Sequence, residues 1–365
     1  MLLDRPVLEQ IARGAAVLGT GGGGDPAIGL LIARQAAEDF GPTELVDLDD
    51  LPEDGLLLPC GGMGAPTVSI EKIDNGDEGH RLRERVEEVF GRPVVAVMSS
   101  EIGGSNALIP IAWASRMRLP VVDADGMGRA FPELPQVSME VAGIDPCPAF
   151  LTDERGNVVV TRAVSGAWLE RIHRRITIEM GGSAATSEYV MTVGQARTAS
   201  VRGSMSLAAR IGRTIMEATQ DPVGTLVAEL GAFRLATGKV VDVRRETTEG
   251  FVFGSAIVEG LREDAGRVLT IEIQNENLAV REGDSILASV PDLITLLDSE
   301  TADAVPTERV RYGMRVTVIA FPCDPIWRTV KGLELAGPRA FGYDFDHVPV
   351  ERLHGGPSSG GSAHG

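Results

Sequence analysis

The densest group of reactive side chains is Val121-Val122-Asp123-Ala124-Asp125-Gly126-Met127-Gly128-Arg129-Ala130-Phe131-Pro132-Glu133. On a strand that runs through them, Asp123 and Asp125 point to the same face. Two carboxylates that close do not both ionise unaided: Arg129 or a cation balances them, or one keeps its proton. Each arrangement makes a general base, a general acid or a hard-metal site. An Asp-x-Asp-Gly turn with an Asx cap, and Arg129 paired with Glu133 one helical turn on, explains Asp125-Gly126 but not the rest of the cluster. Asp123 and Asp125 are therefore catalytic candidates and Arg129 a substrate-binding one. A divalent metal at the pair stays open, with no ligand set named.

Three further clusters border apolar runs. Ser99-Ser100-Glu101-Ile102-Gly103-Gly104-Ser105-Asn106 has the form of a strand end, a small polar loop and a helix start, which makes Glu101 a catalytic candidate and Asn106 a cap or binding group. Cys60, in Pro59-Cys60-Gly61-Gly62-Met63-Gly64, is a nucleophile candidate that needs its thiolate stabilised by the fold; the ordinary alternative is a small buried hydrophobe. Glu71-Lys72 nearby reads as a solvated pair. In Gly19-Thr20-Gly21-Gly22-Gly23-Gly24 the amides of Gly21, Gly22 and Gly23 can form a nest for an anion or a carbonyl oxygen, ahead of a helix opened by Asp25-Pro26. The run also satisfies GxGxxG, with Asp47 following at a dinucleotide-like distance, but the stretch before it is helical in period, so no nicotinamide is expected. The five histidines have no HxH or HExxH spacing, and Gln274-Asn275-Glu276-Asn277 is either a polar binding loop or a turn with Asn at positive φ.

Apolar runs at 56–58, 94–98 and 121–122 alternate with helical patterns at 78–90 and 106–117, after helices at 7–18 and 27–40. This predicts an α/β N-terminal domain with a mostly parallel sheet and helical crossovers over residues 1–166. Helices at 167–179 and 204–218 and strands at 240–244, 251–258, 268–274, 285–290 and 315–321 predict a C-terminal β-rich α+β domain over 167–353. Residues 354–365, HGGPSSGGSAHG, read as a flexible tail.

The composition is globular, with 43% hydrophobic and 24% charged residues among 365. The net charge of −18 and the lack of a basic stripe exclude nucleic acid as a partner. No run is long enough for a membrane span, and the start, MLLDRPVLEQ, has no signal-peptide pattern, so a cytoplasmic setting is expected. Three scattered cysteines form neither a disulfide framework nor a zinc motif.

The segments GTGGGGDP (19–26), CGGMGAP (60–66), EIGGSN (101–106) and VDADGMGRAFPEL (122–134) together resemble the S-methyl thiohydantoin desulfurase family. The likeness continues through IQNENL (273–278), SVPDLI (289–294) and GPRAFGYDFD (337–346). It implies a two-domain protein that acts on a small sulfur-containing heterocycle, water attacking the sulfur-bearing ring carbon and a thiol leaving. It also implies association with hydantoinase/oxoprolinase-type proteins, so a non-catalytic accessory subunit and a homo-oligomer stay open. For that reaction Asp123 or Asp125 is the expected base, Arg129 orients the ring, and Asn106 with the glycine amides holds its carbonyl; in a covalent variant Cys60 attacks the same carbon.

Overall fold

The glycine run joins two helices. Helix α1 (Arg5–Leu18) is opened by Asp4, whose carboxylate accepts from the Val7 amide, and it buries Leu8, Ile11, Ala15 and Leu18 at helical spacing. Helix α2 (Pro26–Phe40) is opened by Asp25, which accepts from the Ala27 amide, with proline in the first turn as its sequence predicts. The computed structural model describes residues 1–64, 68, 72, 74–248 and 251–355. Glu71 and residues 356–365 of the sequence-predicted tail lie outside the described residues.

The first sheet has the strand order β1-β4-β3-β2-β7-β5-β6, built from β1 (Leu45–Val46), β2 (Leu56–Gly64), β3 (Val94–Ser99), β4 (Val121–Asp125), β5 (Ala149–Thr152), β6 (Val158–Thr161) and β7 (Ser183–Ser187). Strands β1, β4, β3 and β2 are parallel, with α3 (Glu78–Phe90) and α4 (Ile109–Met117) as the crossovers. Their near-continuous apolar runs fit strands covered on both faces. Strand β2 then changes partner. Its first part pairs with β3 as far as Cys60↔Ser99, and from Gly61↔Thr186 it pairs antiparallel with β7. The loop after β3 and the outer end of β2 therefore face each other across a gap.

Strand β7 follows α5 (Gly166–Glu179), and α6 (Ser204–Glu217) follows a short strand that pairs with β4. Residues 167–202, grouped from sequence with the second domain, thus complete the first sheet. The second sheet starts at Phe233 and is antiparallel throughout, its strands lying side by side in the order Ser285–Ser289, Glu276–Glu282, Val268–Gln274, Phe251–Gly260, Phe233–Thr248, Arg315–Phe321 and Leu293–Asp298. Three of its strands matter for the site: the one at Val268–Gln274, the one at Glu276–Glu282 and the one at Leu293–Asp298. Alternate residues such as Leu269, Ile271 and Ile273 enter a core of their own, as a half-buried strand requires.

The two halves are also packed together. One apolar core includes Leu18 and Val97 from the first half and Leu278 and Ile319 from the second. Thr295 Oγ1 donates to the Val17 carbonyl at 2.8 Å, the Asn277 amide to Thr20 O at 2.8 Å and the Thr307 amide to Gly21 O at 2.9 Å. The start of the glycine run is thereby held by the second half. Among the described residues no helix is long and apolar enough to cross a membrane.

Candidate active site

A cavity of about 820 Å³ opens between the glycine run, the outer end of β2, the loops after β3 and β4, and the turn at Asn275–Glu276. The loop after β3 is set by Ser99, whose hydroxyl donates to the carbonyls of Glu101 and Asn106 at 2.5 and 2.8 Å. The closed turn brings Asn106 against Glu101: Nδ2 donates to Glu101 Oε1 at 3.0 Å, while the Phe131 amide donates to Oε2 at 3.4 Å. Asn106 Oδ1 accepts from the Gly62 amide at 3.1 Å, which ties the loop to β2. Glu101 lines the cavity yet is only 6% exposed. Burial pushes its carboxyl up to about 8, against the pull of the Asn106 and Phe131 hydrogen bonds.

The second acid comes from the other half. Asn275 turns the chain at φ 55°, and Glu276 follows at the start of the next strand. Its side chain lies over Gly22, where a Cβ would sit 1.9 Å from Oε1; glycine is required there by close approach. Glu276 is 3% exposed and lines the cavity, and its Oε2 is buried with no hydrogen-bond partner among the described residues. Burial raises its carboxyl well above the usual range, and the Glu101 charge raises it further; Arg129 opposes both. Two carboxyl groups whose proton affinities are both raised by burial thus line one cavity.

The sequence-predicted residues divide sharply. Glu101, Asn106, Gly22 and Gly23 line the cavity; Asp123, Asp125, Cys60, Arg129 and Gly21 do not. The expectation that Asp123 and Asp125 act as a pair is corrected by their partners. Asp123 accepts from the amide and hydroxyl of Ser206 and so caps α6 from outside. Asp125 is fully buried and accepts from the amides of Ile102, Met127 and Gly128, each at about 2.9–3.0 Å, which fixes the loops after β3 and β4. Their oxygens are committed in different directions, so they do not fit a shared hard cation; among the described residues no group of three His, Cys, Asp or Glu is arranged for a metal. Asp123→Ala is expected to lower stability by about 1 kcal/mol through the lost cap; a urea titration checks it.

Arg129 is not a ligand-orienting group either. It is completely buried, donating to the carbonyls of Ala130, Pro291 and Asp292 and to Thr20 Oγ1, all at 2.9 Å, with its guanidinium over the Phe131 ring. The pairing with Glu133 does not form. Cys60 is buried in the core and burial pushes its thiol up, the opposite of an activated nucleophile. Gly21 is gripped by Thr307 and Asn277 at the junction of the halves. The dinucleotide fingerprint fails on geometry, because α1 and not a strand precedes the glycines, and Asp47 pairs with Arg202.

Sequence reasoning marked Glu276 only as part of a polar loop and passed over Glu188. Glu188 lines the same cavity, held by buried His173 (Nδ1 to Oε1, 3.3 Å) and by the Thr186 hydroxyl (3.2 Å). No local motif marks either acid.

Fold and cavity together give a two-domain α/β protein in which two buried acids, Glu101 and Glu276, line one cavity at the junction of its halves. The chain belongs to the S-Me-THD-like family: the description "S-Me-THD-like, N-terminal domain" matches residues 7–163 and "S-Me-THD-like, C-terminal domain" residues 164–350. The sequence motifs at 19–26, 60–66, 101–106 and 122–134 point to the same family. A crystal structure of a protein from Chromobacterium violaceum is similar along the whole fold, with 25% identity and a TM-score of 0.78 over 96% of this chain and 100% of that one. Comparison with curated proteins gives no match.

Proposed function

We propose that the chain is a hydrolase of S-methyl thiohydantoin-type rings. The single observation that carries the reading is that Glu101 and Glu276 line one cavity with both carboxyl groups buried. The ring carbon bearing sulfur is amidine-like and electrophilic. Glu101, ionised, takes a proton from water as its oxygen bonds to that carbon; the C=N electrons move to the ring nitrogen, which takes the proton of Glu276. In the second step the C–S bond breaks and the sulfur leaves with the proton held by Glu101, while the new hydroxyl returns its proton to Glu276 and becomes a carbonyl. Both acids end as they began, and water plus substrate has become hydantoin plus methanethiol. Asn106 orients Glu101 through their hydrogen bond.

The test is methanethiol release by the purified chain from S-methyl-2-thiohydantoin, followed with a thiol reagent. Turnover by the chain alone, lowered about 10²–10⁴-fold in Glu276→Gln, is the expected result. No release, with the ring still bound, would make the chain a binding subunit of a hydantoinase/oxoprolinase-type enzyme.

A further inference from the structure

The glycines that line the cavity do not all have the same reason to be glycine. Gly23, Gly24, Gly64 and Gly76 hold positive φ, and a Cβ on Gly22 would strike Glu276. Gly61 and Gly62 differ from these among the described residues. Neither has a left-handed φ. A Cβ at Gly61 would meet nothing closer than Ser100 Cβ at 3.6 Å, and one at Gly62 only Asn106 Oδ1 at 3.4 Å, both ordinary contacts. Both lie within strand β2, where glycine weakens the strand and commonly marks close approach by a ligand. The fold tolerates a side chain at either position; the space beside them is cavity.

We propose that the Gly61–Gly62 peptide, where β2 has left β3, is the platform on which one face of a flat five-membered ring lies. The chain therefore selects closed planar rings with at least one unsubstituted face. This rests on the hydantoin-type reading of the site and adds which wall holds the ring and which substituents it refuses. The platform is flanked by the groups a ring edge needs. Asn106 touches the Gly62 amide and Glu101, and Glu276, with its unpartnered buried oxygen, lines the same cavity. Successive strand residues point to opposite faces, so a methyl group at one of Gly61 and Gly62 would occupy the ring's place, and at neither would it disturb the protein. A ring carbon with two substituents carries one on each face and cannot lie flat either way, whereas a singly substituted ring keeps one face free.

Calorimetry with hydantoin, 5-methylhydantoin and 5,5-dimethylhydantoin tests this without requiring turnover. Wild type is expected to bind the first two and to bind the geminal dimethyl ring at least tenfold more weakly. One of Gly61→Ala and Gly62→Ala, the one whose methyl points to the ring's face, is expected to bind hydantoin at least tenfold more weakly, and both are expected to keep thermal midpoints equal to or above wild type. Unaltered hydantoin affinity in both variants, or equal affinity of wild type for the dimethyl ring, overturns the platform. The dimethyl comparison needs no variant, so it decides even if a substitution harms folding. Methanethiol release without hydantoin binding would overturn the platform alone; neither release nor binding would overturn the hydrolase reading with it.

Discussion

Glu101→Gln is expected to lower turnover by about 10²–10⁴-fold and, at the same time, to make the protein more resistant to unfolding at alkaline pH. In the proposed mechanism the first effect follows from removing the group that accepts the proton of water. The second follows from proton linkage. The carboxyl titrates at 4.5 in the ordinary state and near 8 in the folded protein, so between those values the folded chain holds a proton that the unfolded chain has released. Stability from this group is complete below pH 4.5 and is lost as pH rises through about 8. Glutamine has no such loss, and its oxygen still accepts from Asn106. Because the residue lines a cavity open to solvent, the gain is smaller than the full shift would give, about 1–3 kcal/mol at pH 8.5 and close to zero at pH 4.5. Urea titrations of both proteins at the two pH values read it directly. Equal stability at pH 8.5, or retained turnover, would remove Glu101 from the role given to it. Wild-type turnover should rise with pH up to about 8, as the base form of Glu101 becomes populated.

Arg129→Met is expected to be among the most damaging single changes in the chain, at about 3–5 kcal/mol. Methionine matches the stem but strands the carbonyls of Ala130, Pro291 and Asp292 and the hydroxyl of Thr20 without donors in a dry interior. The loss falls on the contact between the halves, since two of those carbonyls belong to the second half. Arg129 also lowers the proton affinity of Glu101 and Glu276, so any folded variant should need higher pH for full turnover. A change below about 1 kcal/mol in a denaturant titration would mean that the guanidinium is dispensable to the junction.

Much of this arrangement is legible in the sequence where local signals are strong. The cap Asp25-Pro26, the helix at 78–90 and the strand at 315–321 appear where their patterns put them. Glu101 and Asn106 were found because a polar loop after a buried strand of a parallel sheet faces a crevice. The aspartates misled because spacing along a strand says which face a side chain leaves from but not which amides will claim it. Asp123 meets a helix start from residue 204 onward, and Asp125 meets its own following loop. Glu276 escaped because its role exists only once the second sheet sets it over Gly22. The antiparallel flank of the first sheet escaped as well, since β5, β6 and β7 are only four or five residues long and β7 pairs with the far end of a strand from much earlier in the chain.

Glu101 precedes residue 163 and Glu276 follows residue 164, on opposite sides of the boundary between the two family descriptions. A gene cut at that seam would yield two polypeptides, each carrying one of the two cavity acids. Coexpressed fragments could regain function only by rebuilding the carbonyl socket around Arg129, so complementation would report on how faithfully the seam reseals.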